Sequence, residues 1–168
     1  MERRQRSSLA ILTRMKLAEA LALRADAARR AEQLRARITA SARYQEGETP
    51  AEDAAALLSE TGQVLGELET LIRRINRTNA ATQVTGGTLT DALARRDVLR
   101  LRHGVITSAA NAAAGEGQRG LRQLRSELKM IPALPVAELR GQADDLAREL
   151  REVDTLIQST NWEVDLLD

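Results

Sequence analysis

The stretch "TPAEDAAALLSETGQVLGELETLIRRI", residues 49–75, decides the fold. Its first four residues have the spacing of a capping box, with Thr49 and Glu52 three residues apart and proline between them. The apolar residues that follow recur at three- and four-residue intervals, as along one face of an amphipathic helix. They are Leu57, Val64, Leu65, Leu68, Leu71, Ile72 and Ile75. The stretch therefore predicts a long helix that begins at the capping box.

Three further segments have helical periodicity. The first runs from about Ser8 to Tyr44, the third from Thr88 to about Ala114, and the fourth from Val136 to about Asn161. Residues 115–135 have no sustained period and end in a proline-containing stretch. We therefore predict an all-α fold with four long helices in antiparallel hairpins or a bundle, and a non-helical arm between helices three and four.

The third and fourth helices differ in their apolar patterns. Helix three has two apolar sides, and the second of these includes Val98, Leu101 and Val105. A helix that is apolar on several sides tends to be surrounded, which predicts a central position. Helix four repeats apolar residues from Leu139 to Ile157 with strict 4-3-4-3-4 spacing, as in a coiled coil. This seam is expected to pack within the chain or against a second copy.

Composition limits the class of protein. The 168 residues include no cysteine and no phenylalanine, so disulfides and thiolate metal sites are excluded. No apolar run reaches the roughly 18 residues of a membrane-spanning helix. Arg14 and Lys16 interrupt the apolar stretch near the start, so we expect no signal peptide and a cytoplasmic protein. We divide the chain into an N-terminal extension, residues 1–14, and a single helical domain, residues 15–168. The extension either precedes a start at Met15 or lengthens the first helix.

Charge alternates along the chain. Residues 1–43 have eleven basic and four acidic side chains, whereas residues 44–70 have seven acidic side chains and no basic one. The favoured interpretation is that neighbouring helices have complementary flanks. A basic face for nucleic acid is the alternative, but the adjacent acidic segments would offset its field. We expect no nucleic-acid partner.

The sequence has no recognisable catalytic or metal-binding pattern. His103 is the one histidine, whereas zinc sites need several His or Cys ligands and di-iron bundles need Glu-x-x-His motifs. No nucleophile stands in the context that a hydrolytic triad requires. We therefore predict no catalytic residue, no metal and no cofactor, and we lean towards a non-enzymatic protein.

Polar residues concentrate near the corner between helices two and three. We predict that Asn76, Arg77, Thr78 and Asn79 cap the end of helix two. Thr88 and Asp91 have the cap-plus-acid spacing of a helix start, and Asp91 can also pair with Arg95 four residues later. Arg24 falls on the apolar face of helix one, where it needs a carboxylate or an anionic ligand. Trp162 is expected to cover the cluster. The candidate binding residues are Arg24, Asn76, Arg77, Thr78, Asn79, Asp91, Arg95, Arg96, Asp97, Asn161 and Trp162. They form either an internal clasp or a pocket for a small anionic ligand.

Several stretches together carry a family resemblance: "MKLAEALALRADAARR", "QEGETPAED", "INRTN", "GGTLTDALARRDVLRLR", "RSELK" and "STNW". The chain, from about Met15 to Leu167, resembles a family of small bacterial helical proteins, some of which carry the label septicolysin. That label implies a pore-forming lysin. The sequence has no Trp- or Phe-rich amphipathic edge, and we expect no membrane activity.

The expected function is that of a cytoplasmic, non-enzymatic helical protein that acts through self-association or a protein partner. The alternative is a protein, or a weak enzyme, that binds a small molecule or an anion at the basic corner. A lysin-like membrane activity is the third possibility.

Overall fold

The computed structural model describes residues 15–116 and 130–168. The fold is all-α, as predicted. Helix α1 spans Leu17–Ser41, α2 Ala54–Ala81, α3 Leu89–Ala113 and α4 Val136–Glu163. The two-residue strands β1, Gln83–Val84, and β2, Gly87–Thr88, pair between α2 and α3. Within the predicted arm, residues 130–135 are non-helical and residues 117–129 lie outside the described residues, as does the extension 1–14.

Helix α1 begins later than predicted, because Met15 and Lys16 are not helical. Lys16 has an extended backbone, with φ −72° and ψ 150°, and its N–H donates to the Glu19 carboxylate at 2.9 Å. That bond satisfies a backbone donor which has no partner within the helix. The predicted helical residues 8–14 lie outside the described part of the chain.

The predicted capping box at the start of α2 is wrong. Asp53 is the N-cap instead, and its carboxylate accepts from the N–H groups of Ala55 at 2.9 Å and Ala56 at 3.1 Å. Asp53 stands directly before the alanine run, so it reaches the first free N–H groups. Glu52 accepts instead from Arg37 Nε on α1, at 3.1 and 3.0 Å.

The described chain forms two compact units, residues 15–83 with 159–168, and residues 84–158. In the first unit, α1 packs against α2 through a core of Leu34, Leu57 and Val64. Arg30 on α1 pairs with Glu60 on α2, and Arg37 pairs with Glu52 just before α2, in antiparallel register. These pairs are exposed, so they contribute little stability, and the apolar core accounts for most of the packing free energy.

In the second unit, α4 begins beside the end of α3, where Arg140 pairs with Glu116 at 3.2 Å. The apolar seam of α4 is covered within this chain, since Leu146 and Val153 are buried. The predicted central position of α3 is wrong, because one of its two apolar sides faces solvent. Its other side, which includes the buried Leu99, is covered.

Candidate functional site

Thr78, in the last turn of α2, is the centre of a clasp on the C-terminal residues. Its side chain is fully buried, at 0% exposure. The Thr78 hydroxyl donates to the carbonyl of Arg74 at 2.8 Å and accepts the N–H of Leu167 at 3.0 Å. One buried hydroxyl therefore joins the helix backbone to a residue 89 positions later.

Two arginines complete this clasp. Arg74 donates from Nε to the carbonyl of Leu167 at 2.9 Å and from Nη2 to the side chain of Asp168 at 2.8 Å. Arg77 donates from Nη1 to the carbonyl of Asp168 at 3.0 Å. The Arg74 side chain is only 14% exposed. Since a guanidinium presents several donors in a fixed plane, each arginine can hold an extended segment without a regular sheet.

The same C-terminal segment pairs with the residues before α1. Leu17 donates its N–H to Val164 at 3.0 Å, and Leu166 donates its N–H to Met15 at 2.8 Å. Lys16 and Asp165 face each other in this bridge, and their side chains pair at 2.7 Å. Residues 164–168 are therefore held on both sides, by the start of α1 and by the end of α2.

The stretch "INRTN" is helical and does not end α2, so the predicted cap is wrong. Helix α2 continues to Ala81, and the N–H of Thr82 donates to the carbonyl of Thr78 at 2.9 Å. Asn76 is exposed and Asn79 is partly exposed, and neither side chain makes a hydrogen bond within residues 15–116 and 130–168. Within this stretch, the side-chain hydrogen bonds are therefore those of Arg77 and Thr78.

Asp91 acts as a helix cap. Its carboxylate accepts the N–H of Thr88 at 2.8 Å, and the Thr88 hydroxyl is 3.2 Å from the N–H of Asp91. This reciprocal arrangement is the capping box predicted from the sequence. The N–H and then the hydroxyl of Thr88 hold the pKa of Asp91 below its usual value. Gly87 has φ +144°, and a Cβ there would lie 2.7 Å from the Asp91 carboxylate, so glycine is needed beside the cap.

The predicted ion pair between Asp91 and Arg95 on α3 is wrong. Arg95 reaches Glu149 on α4 at 3.3 Å, not Asp91. Arg96 donates from Nε and Nη2 to Asp97 Oδ1, at 3.0 and 2.9 Å. Asp91 is unavailable to Arg95 because it caps the start of α3. Arg95 instead pairs with a carboxylate of α4, which the local spacing within α3 could not predict.

Arg24 and Trp162 differ most from their predicted roles. Arg24 is exposed and makes no ion pair with the described residues, so it does not occupy a buried position on the face of α1. Trp162 is 65% exposed, which is contrary to the expectation that it shields a polar cluster. Asn161, next to it, is partly exposed. Long amphipathic side chains on a helix can leave the face that their position suggests and extend to water.

The predicted cluster is distributed between the two units. Residues 76–79, Asn161 and Trp162 belong to the first unit, and Asp91 and residues 95–97 belong to the second. Among residues 15–116 and 130–168, no group of three or more His, Asp or Glu side chains could hold a metal ion. No helix in this part of the chain is long and apolar enough to cross a membrane.

Each unit has an apolar surface that no described residue covers. In the first unit, a groove of about 700 Å³ lies between α1 and α2. In the second unit, Val98, Leu101 and Val105 are 57%, 72% and 67% exposed on the outer side of α3. Sequence reasoning named these three residues but placed them in a core, because periodicity cannot tell which side has a neighbour.

The fold and these surfaces define an all-α protein built from two helical units. The chain belongs to the family of unknown function DUF6847, whose model matches residues 24–166. It is also similar to a functionally unknown conserved protein from Corynebacterium diphtheriae, known from a crystal structure. The two are 37% identical, the match covers 92% of this chain and 99% of that one, and the TM-score is 0.85. No curated protein matches this chain.

Proposed function

We propose that the protein is a cytoplasmic, non-enzymatic homodimer that associates through the outer side of α3. The observation that carries this proposal is the exposed row of Val98, Leu101 and Val105. Three branched apolar side chains on one stripe of a helix favour burial against another helix, because each loses about 1.5–3 kcal/mol when left in water.

The spacing of this row is that of a short coiled-coil seam. Val98 and Val105 are seven residues apart, and Leu101 lies between them at three and four residues. In heptad terms, the valines take position a and the leucine takes position d. Parallel two-stranded coiled coils favour β-branched residues at a and leucine at d. This choice of residues supports two copies of α3 in parallel orientation.

Charges beside the row favour the same orientation. Asp97 and Arg102 flank the seam at positions g and e, five residues apart, which is the spacing of g–e′ pairs between parallel helices. Asp97 already accepts from Arg96, but through Oδ1, and its carboxylate is 63% exposed, so Oδ2 can accept from a second arginine. Arg102 is exposed and has no ion pair among the described residues. A parallel dimer would form this pair twice. An antiparallel dimer would bring Arg95 of one copy towards Arg102 of the other, which costs free energy.

Binding of a small molecule or an anion, the alternative expected from the sequence, receives less support. The arginines near the predicted corner already bind protein oxygens. Arg74 and Arg77 bind the C-terminal residues, and Arg95 and Arg96 bind carboxylates. An anionic ligand would have to displace these partners. Thermal-shift measurements with nucleotides and phosphorylated metabolites test this alternative, and we expect no shift.

Light scattering and cysteine cross-linking test the dimer. The chain contains no cysteine, so single introduced thiols give an unambiguous result. In the parallel dimer each seam residue faces its own copy, and Val105→Cys should form an intermolecular disulfide. Leu58→Cys, at a leucine that is 58% exposed on α2, is the matched control and should stay reduced. Val98→Asp together with Leu101→Asp should give a monomer with unchanged helix content.

Three results would count against the proposal. A monomer by light scattering at micromolar concentration would exclude self-association at that concentration. Cross-linking of Val105→Cys only when it is mixed with Ala94→Cys would indicate an antiparallel dimer. Equal cross-linking of Leu58→Cys would place the interface elsewhere. Dye release from liposomes tests the septicolysin resemblance separately, and we expect none.

A further inference from the structure

The groove between α1 and α2 in the first unit has the size and the lining of a small-molecule site. Its volume of about 700 Å³ is within the roughly 300–1,000 Å³ of sites that bind such ligands. Apolar side chains form its walls, from Leu23 and Ala27 on α1 and from Val64 and Leu71 on α2. Leu23 is 44% exposed, so the groove is open to solvent. An apolar ligand would therefore gain free energy by covering these walls.

The hydrogen-bond donors of the lining already have partners. Arg30 on α1 pairs with Glu60 at 2.7 Å, and Arg74 on α2 binds the C-terminal residues with only 14% of its side chain exposed. The Thr70 hydroxyl donates to the carbonyl of Gly66 at 3.0 Å, one turn earlier in α2. An anion, or a ligand rich in hydrogen-bond acceptors, would have to displace these partners, so the groove does not match either.

The charge without a partner in this lining is a carboxylate. Asp26 pairs with Arg29 on the same helix, whereas the Glu67 side chain makes no ion pair or hydrogen bond with the described residues. Apolar walls beside one uncompensated negative charge match a ligand that is both apolar and positively charged. We propose that the groove binds a hydrophobic organic cation, with its apolar groups against the walls and its charge beside Glu67.

The two parts of this site have different roles. Burial of apolar surface supplies most of the affinity, because an ion pair that stays exposed to water is weak. Glu67 therefore selects the sign of the ligand's charge and does not hold the ligand by itself. A small inorganic cation should not bind, since it has no apolar surface and one carboxylate cannot replace its hydration shell. The site is separate from the proposed dimer, which uses α3 in the second unit.

Tetraphenylphosphonium and tetraphenylborate test the proposal, because they have nearly the same size and apolar surface but opposite charges. Isothermal titration calorimetry with the full chain should show one tetraphenylphosphonium ion bound per chain. Its Kd should be about tenfold lower than that of tetraphenylborate, because attraction to Glu67 becomes repulsion when the charge is reversed. Ammonium chloride at the same concentration should give no heat of binding.

Two matched pairs of substitutions locate the bound cation. Glu67→Gln should raise the Kd for tetraphenylphosphonium about fivefold, whereas Glu69→Gln removes the same charge outside the lining and should leave it unchanged. Gly66 lines the groove and has nothing within 4 Å of an added Cβ, so Gly66→Leu should fill part of the groove and raise the Kd by about tenfold. Gly62→Leu, one turn earlier and outside the lining, is its control. Both glycines lie within α2, where leucine is the better helix former, so folding is kept.

Each contrary result would overturn the proposal. Tighter binding of tetraphenylborate would make the groove an anion site. Equal effects within either pair of substitutions, or unchanged binding by Gly66→Leu, would place the cation elsewhere on the chain. The absence of heat with tetraphenylphosphonium up to millimolar concentration would show that the groove does not bind this class of ligand. Light scattering of the same variants should give the mass of the original chain, so a failure here is distinguishable from a failure of the dimer.

Discussion

Replacing Thr78 by valine tests how the end of α2 holds the C-terminal segment. Valine has nearly the same shape but no hydroxyl, so the apolar packing of this buried position is kept. The N–H of Leu167, now 3.0 Å from the Thr78 hydroxyl, would lose its acceptor. A second consequence is loss of the bond to the carbonyl of Arg74 at 2.8 Å, but that carbonyl can keep its helical partner.

The expected loss follows from the cost of an unpaired donor. A buried polar group without a partner costs about 1–3 kcal/mol. The bond to Leu167 is only partly buried, so water can replace some of it, and we expect a loss of about 1–2 kcal/mol in the free energy of unfolding. For a chain of this length, 1 kcal/mol corresponds to roughly 2–4 °C in Tm. Thr78→Val should therefore lower Tm by roughly 2–8 °C.

Thermal unfolding followed by circular dichroism measures the change, and amide hydrogen exchange at Leu167 localises it. Thr78→Ser is the matched control, because it keeps the hydroxyl and removes one methyl group. It should lose about 0.5–1.5 kcal/mol through the cavity and keep the protection of Leu167. A Tm for Thr78→Val within about 1 °C of the original chain, with unchanged exchange at Leu167, would refute the clasp.

Five further substitutions have expected results. Arg96→Ala should lower the free energy of unfolding in urea by less than about 1 kcal/mol, because its partner Asp97 is 63% exposed. Arg74→Ala should lower it by about 1.5–3 kcal/mol, because the Arg74 side chain is only 14% exposed. Equal losses for the two variants would contradict this ranking. Gly87→Ala should lower Tm, because its φ is +144° and the new Cβ would meet the Asp91 carboxylate. Gly62→Ala, in the middle of α2 with nothing within 4 Å of the new Cβ, should instead raise the free energy of unfolding by about 0.5–1 kcal/mol. Asp91→Asn should make the free energy of unfolding depend less on pH in the acid range. The lowered pKa of Asp91 stabilises the fold at pH values above the usual carboxyl pKa, and this stability is lost as the pH falls through the lowered pKa. Asparagine does not titrate, so it removes this dependence. An unchanged acid limb would show that the cap does not contribute in this way.

Local sequence patterns were sufficient for several features. The four helices, the Thr88–Asp91 cap and the apolar seam of α4 could all be predicted, because each depends on residues within one or two helical turns. Helical periodicity and capping are properties of a short stretch of backbone, and they remain the same in most tertiary surroundings. The start of α2 was wrong by a few residues, since Asp53 caps the alanine run more directly than the box before it.

The tertiary structure alone decided what the polar residues bind and which apolar side is covered. Thr78 and Arg77 hold residues about 90 positions away, and Arg95 reaches α4, so no local spacing could identify these partners. Val98 has the same pattern as a core residue, but it is exposed because no described element covers that side of α3. A sequence shows that a side chain is apolar or charged, whereas its neighbour is set by where the chain returns in space.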